Sequence, residues 1–299
     1  MKINKVIFST SERFSVFWNT NARIWKSFGI EPVCLLFGKK ENTDMTEEHG
    51  KIIEMPIIKD IPLLIQITWS KFYWPIHEPD TTWLIGDIDL FPLQSQHFIE
   101  NISHIPDDHY AHLDCDGIAQ LSGCKSWIGA SRGNLGQDLG HSTNLVGHYH
   151  CAKGKTFKEA LEQNGTHEEE LRHFNNSKHL YDNNRQFRDS DPIEQHGLWC
   201  AEETRSTKAI RRSVDRGIIN FTGLSLKNGI KDHGDLAGDR IDRTMYDEAR
   251  GEYIYDHNKL INGKYVDLHC IRPFSHVSEE FRARRWEANF KILKLANIL

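Results

Sequence analysis

Two aspartates one residue apart close an apolar run in TTWLIGDIDLFPL, residues 81–93. Asp87 and Asp89 repel each other unless a positive group sits between them. Alternate residues of an extended segment point the same way, so both carboxylates can approach one ion. Hard oxygen ligands suit Mg²⁺ or Mn²⁺, which bind through a few protein groups together with substrate phosphates. Trp83, Leu84 and Ile85 form a buried approach, Leu90 to Leu93 return to the core, and Gly86 is expected to let the backbone come close to a ligand. The competing explanation is an ordinary acidic surface loop.

Other residues with chemical potential lie further along. In GHYHCAKG, His148 and His150 alternate onto one face with Tyr149 on the other. They either bond a polar ligand or are satisfied core histidines. Asp114 and Asp116 form a second Asp-x-Asp without an apolar lead-in, which argues against a second metal site. RGNLGQDLGH and GDLAGDRIDR are glycine-rich but match neither a P-loop nor a dinucleotide fingerprint, and are expected to be loops that order over a ligand. The six cysteines (Cys34, Cys115, Cys124, Cys151, Cys200, Cys270) contain no CxxC pair, which favours reduced thiols over a zinc or disulfide framework.

The elements that must position these groups follow from periodicity. KVIFST reads as a first strand, and Ser9-Thr10-Ser11-Glu12 suits a helix start. Phe14, Phe17, Trp18, Trp25 and Phe28 recur at helical spacing up to Gly29, and PVCLLFG is a second buried strand. Strand, helix, strand within about forty residues predicts an α/β protein with a mainly parallel sheet. Residues 39–50 are a polar loop and KIIEMPII a third strand. PLLIQITWSKFYWPI predicts a helix with Leu64, Ile67 and Phe72 as its stripe, ended by Pro75 and Pro79. In such sheets ligands bind beyond the carboxyl ends of the strands, where the acidic pair falls.

Downstream, AHLDCDGIAQ predicts a strand running into a loop, and LVGHYHCAKG another strand. Thr156 and Glu159 read as a capping box opening the helix FKEALEQN, stopped by Gly165. Residues 166–190 are expected on the surface as helix and loop, and GLWCAEETRSTKAIRR as a buried turn entering a helix. Residues 278–299 predict a helix capped by Ser278, with Trp286, Phe290 and Leu293 on one face.

The 299 residues carry a formal net charge of -5, with 38% hydrophobic and 26% charged residues: a globular composition without the basic footprint of nucleic-acid binding. The apolar stretch of MKINKVIFST is too short for a signal peptide, and no run approaches the roughly 18 apolar residues of a membrane span. The expected setting is the cytoplasm. The basic, amphipathic C-terminal helix either lies on an anionic membrane or packs back on its own domain.

WLIGDIDLFPL, with SKFYWPIHEPDTTW leading into it, resembles the GT-A glycosyltransferases, which move a sugar from a nucleotide-sugar to an acceptor. The resemblance implies a single α/β domain over 1–299. A Rossmann-like nucleotide-sugar-binding half (1–95) would end in the DxD. Its mixed central sheet, flanked by helices, would continue into a smaller acceptor-binding half (96–277), with the C-terminal helix at 278–299. It implies Mn²⁺ or Mg²⁺ held by Asp87 and Asp89, and a late histidine as further ligand: His269 in YVDLHCIRPF, with His276 and His257 as fallbacks. Where such families often carry Arg near the nucleotide, this chain has Lys71. Ser9, Thr10, His148 and His150 join Lys71 and the aspartates as expected donor contacts. Trp199 and Glu202 reproduce the Trp-to-Glu spacing of retaining enzymes of the blood-group galactosyltransferase type, with Ala201 where that pattern has Asp. Glu202, or else Glu203 or Asp191, is the implied catalytic carboxylate. The implied partners are a UDP-sugar and a carbohydrate or lipid-linked acceptor, with retention mildly favoured and membrane contact through the C-terminal helix. Two rivals stand beside this. A nucleotidyltransferase usually carries a glycine-rich loop after its first strand, and FSTSERFSV has no glycine; the other is a non-catalytic binding protein of the same fold.

Overall fold

Val6, Ile7 and Phe8 are wholly buried, as expected of a strand covered on both faces. In a computed structural model, which describes residues 1–113, 145, 147–177, 201–224, 240–271 and 278–299, they form the centre of β1 (Lys5–Ser11). β2 (Glu31–Phe37) and β3 (Lys51–Met55) follow in parallel on one side, and β4 (Thr82–Ile85) pairs in parallel on the other. β7 (His150–Lys153) is antiparallel to β4 and to β6 (His109–His112), which pairs in parallel with β8 (Asn220–Gly223). The seven-stranded order is β3-β2-β1-β4-β7-β6-β8. The expected α/β class, a large mixed sheet flanked by helices, is what the chain adopts.

Strand alternation divides the core in two. Val6, Phe8, Cys34, Leu36 and Leu84 face one layer, which includes α1 (Trp18–Ser27) and the C-terminal helix. Ile7, Val33, Leu35, Phe37, Trp83 and Ile85 face the other, which includes α2 (Leu63–Tyr73). Trp18, Ala22 and Trp25 give α1 its buried stripe, and Gly29 ends it in the left-handed region at φ 78°. In α2 the buried stripe is Ile65, Trp69 and Phe72; Leu64 and Ile67 are only half-buried, so the expected stripe is rotated. After α3 (Gln96–Ile99) comes β6, and after β7 come α4 (Gly154–Ala160), α5 (His167–Ser177) and α6 (Ala201–Asp215). The capping box opens the next helix, ten residues later than expected: Thr166 and Glu169 bond reciprocally at the start of α5, while Thr156 is buried within α4.

β5 (Leu90–Pro92) leaves the main sheet and joins β12 (Asp267–His269), which also pairs with β9 (Arg240–Ile241). A hairpin of β10 (Tyr246–Asp247) and β11 (Glu252–Tyr253) and the short α7 (His257–Ile261) lie between β9 and β12. α8 (Glu279–Leu295) starts at Ser278, whose hydroxyl accepts the Phe281 amide. It packs back on the domain, burying Ala288, Asn289, Ile292 and Leu293 and setting Trp286 edge-on to Phe17 at 5.2 Å. Among the described residues no helix is long and apolar enough to cross a membrane.

Candidate active site

The strand order reverses between β1 and β4: from β1 the chain winds outward through β2 and β3, then returns to place β4 on the opposite side. Such a switch point opens a crevice at the strands' carboxyl ends. Ser9 and Thr10 sit there on β1, and Gly86 to Asp89 follow β4. The Gly86 amide continues the pairing by donating to Ile7 at 2.8 Å. Packing supplies a reason for Gly86 that the sequence does not show. A Cβ there would lie 2.4 Å from Cε1 of the buried Phe8, so the missing side chain makes room for a core ring.

Asp87 and Asp89 do not alternate on an extended strand. The Leu90 amide donates to the Asp87 carbonyl at 3.1 Å, closing a turn, and the two carboxylates engage separate partners. Buried Asn21 of α1 pins this turn, its amide donating to the carbonyls of Ile88 at 2.9 Å and Leu90 at 3.0 Å.

On one side, Asp87 pairs with the Lys71 ammonium, brought by the last turn of α2, and lies 3.4 Å from His148 Nδ1. Arg240 Nη2 is 3.1 Å from His148 Nε2. A guanidinium only donates, so Nε2 accepts and Nδ1–H faces Asp87. Arg240 also forks onto fully buried Asp267 at 2.6 and 2.8 Å, and the Tyr149 hydroxyl donates to the same carboxylate at 2.8 Å. Burial works to raise the Asp87 pKa, but the Lys71 charge and then His148 outweigh it and hold the carboxyl well below its ordinary value. Tyr149 is left-handed at φ 59°, uncommon for a bulky residue. This breaks the alternation expected for His148 and His150. His148 reaches the site, whereas His150 is wholly buried, 3.0 Å from the Tyr110 hydroxyl and packed on Phe72 and His112. The structure makes His150 a core residue.

On the other side, antiparallel pairing of β5 with β12 sets His269 opposite Leu90, and the Cys270 amide donates to the Asp89 carbonyl at 2.9 Å. His269 Nε2 lies 3.7 Å from Asp89 Oδ2, and Arg243 Nη1 lies 3.8 Å from the same oxygen. His269 Nδ1 is 2.9 Å from Asp242 Oδ2. Burial pushes Asp242 upward, but the bonds to His269 and to the Thr244 amide prevail and its pKa is lowered. A divalent cation suits this donor set. A carboxylate oxygen and an imidazole nitrogen face each other, and sites of this kind commonly take one or two carboxylates with substrate phosphates completing the shell. Among the described residues no group of three or more His, Cys, Asp or Glu is arranged to hold a metal ion, and Asp87 is turned to Lys71 and His148.

Glu202 and Glu203 open α6. Glu202 is 6% exposed, and its Oε2 has no hydrogen-bond partner among the described residues. Burial raises its pKa well above the ordinary value, as do the charges of Glu203 and Asp87, with Lys71 opposing. The carboxyl is therefore biased toward its neutral form. Glu203 accepts the Gly147 amide at 3.2 Å, and a Cβ on Gly147 would come within 3.2 Å of Glu202 Oε1. The segment carrying His148 thus joins the glutamates to the Asp87 cluster.

Ser9 gives its hydroxyl to the Ile67 carbonyl and Thr10 bonds Ser11, so the expected donor contacts are engaged within the fold. His257 is exposed at the start of α7. Asp191, Trp199, His276 and the Asp114–Asp116 pair lie outside the described residues. The structure adds Asn21, Arg240, Asp242 and Asp267. For the last, Asp267-x-His269 repeats the spacing of Asp87-x-Asp89 and is a legible signal.

No protein-family model and no curated protein matches the chain. Among the solved structures with a likeness to it are glycosyltransferases. Glycosyltransferase GlyE of Streptococcus pneumoniae aligns over 98% of this chain at 11% identity and TM-score 0.46. The galactosyltransferase LgtC, in complex with donor and acceptor sugar analogs, aligns over 99% of this chain and 96% of its own at 12% identity and TM-score 0.46. The bifunctional glycosyltransferase WbbM aligns at 8% identity and TM-score 0.42. The chain spans 63% of GlyE and 52% of WbbM.

Proposed function

We propose that the chain transfers a sugar from a nucleotide-sugar, a UDP-sugar by analogy, to a carbohydrate or lipid-linked acceptor, with Mn²⁺ or Mg²⁺ at the acidic turn. One observation carries the reading. Pairing of β5 with β12 brings His269, 180 positions after Asp89 in the sequence, to within 3.7 Å of it at the switch point of the sheet.

Glycosyl transfer passes through an oxocarbenium-like state while a nucleoside diphosphate leaves with growing negative charge. Asp89 and His269 would hold the cation, with Asp87 joining if it turns from Lys71; bound there, it would act as a Lewis acid toward the leaving diphosphate. Lys71 and Arg243 add fixed positive charge to the same crevice and favour the anionic leaving group. His148, fixed by Arg240, holds the second oxygen of Asp87 in place. Glu202, whose burial favours the neutral form, is suited to donate a hydrogen bond to the sugar rather than to deprotonate an acceptor. That supports retention over inversion. Free thiols at Cys34, Cys151 and Cys270 suit the cytoplasmic setting that forms part of the proposal. Since α8 turns its apolar face inward, membrane contact would be electrostatic, through residues such as Arg282 and Arg284. A hydrolysis screen over nucleotide-sugars with Mn²⁺, comparing the wild type with Asp89→Ala, tests the reading. It expects turnover of one donor class that the variant loses, and no turnover with any donor would reject it.

A further inference from the structure

Asp242 is held at both carboxylate oxygens: Oδ1 accepts the Thr244 amide at 2.9 Å, and Oδ2 lies 2.9 Å from His269 Nδ1. The sheet dictates this. β9 runs parallel to β12 with Ile241 opposite Leu268, so the next residue on each strand, Asp242 and His269, are laid side by side. A carboxylate only accepts hydrogen bonds, so a neutral imidazole facing it carries its proton on Nδ1. Nε2 is then left with a lone pair, and Asp89 Oδ2 lies 3.7 Å from it. A carboxylate on one ring nitrogen and a lone pair on the other is how proteins orient metal-binding histidines.

From this geometry we infer that Asp242 is a positioning residue, which fixes the Nδ1–H tautomer of His269 and so makes Nε2 available as a ligand. The inference rests on the cation site proposed above and adds the residue that prepares it. It also explains why Asp rather than Asn stands at this turn. Asn caps a turn as well as Asp does, so the bond from Thr244 gives no reason for the choice. With its carbonyl on Thr244, however, an Asn would present its NH₂ group to His269. The ring would then have to accept at Nδ1 and carry its proton on Nε2, facing Asp89.

The test uses the full chain. Nitrogen-15 spectra without metal report the His269 tautomer, assigned with His269→Gln, and electron paramagnetic resonance follows titration with Mn²⁺ alone. The expected result is Nδ1–H in the wild type and Nε2–H in Asp242→Asn, with Mn²⁺ affinity about 10- to 100-fold weaker in the variant. A wild-type His269 protonated on Nε2 overturns the inference without any variant having to fold. So does an Asp242→Asn protein that binds Mn²⁺ as tightly as the wild type. A wild type that binds no Mn²⁺ but shows the expected tautomers rejects the cation site and leaves the positioning role of Asp242 standing.

Discussion

Glu202→Gln is expected to stabilise the protein, and by an amount that grows with pH. The Glu202 carboxyl is buried with Glu203 and Asp87 for company, so its folded-state pKa is raised above the unfolded value of about 4.3. Stability contributed by such a group is fully present below about pH 4.3 and is lost as pH rises toward the folded-state pKa. Each pH unit in that window removes about 1.4 kcal/mol from the wild type. Gln has nearly the same shape and never ionises, so the variant escapes the loss. With an unfolding entropy of about 2.1 cal/mol/K per residue, 299 residues give about 0.6 kcal/mol/K, and 1.4 kcal/mol moves Tm by about 2 °C. Thermal unfolding at pH 4.5, 5.5 and 6.5 should therefore show the two proteins diverging by up to about 2 °C per unit, with the variant the more stable. Parallel pH profiles would refute the argument, since they would mean that Glu202 titrates alike in both states.

Three further outcomes follow from packing and charge. Gly86→Ala should cost about 1–3 kcal/mol through the clash with Phe8, seen as a lower urea midpoint; an unchanged midpoint would mean that the ring is free to move. Arg240→Met strands the buried Asp267 with only Tyr149 among the described residues, a loss of about 3–5 kcal/mol or 5–8 °C in Tm, and a loss below 1 °C would contradict the fork described for it. Ile292→Ala should cost about 2–5 kcal/mol while leaving liposome co-sedimentation unaltered, because that side chain is inside the domain; weakened partitioning would point to a membrane-facing helix.

Local patterns in the sequence carried the first half of the fold. β1, α1, β2 and α2 each have an apolar period long enough to identify them, and the Asp87–Asp89 turn stands out at the end of β4. What lies between distant segments was less visible. The resemblance points to His269, but its partner Asp242 and the Arg240–Asp267 fork depend on the register of β9 against β12 and leave no periodic trace. Strand alternation through Tyr149 would put His148 and His150 on one face, and one left-handed residue separates their fates. For Thr156 and Glu159, a spacing that fits a capping box fell inside α4, while the same spacing at Thr166 and Glu169 made the real one. Nothing local in the sequence announces that Phe8 fills the space beside Gly86.

Calorimetric titration of UDP into the protein, with and without Mn²⁺, tests the central claim most directly when done on the wild type, Asp89→Ala and His269→Ala. The account predicts that Mn²⁺ tightens UDP binding in the wild type and that either substitution abolishes the gain. Nucleotide binding indifferent to Mn²⁺, or a gain that survives both substitutions, would contradict it.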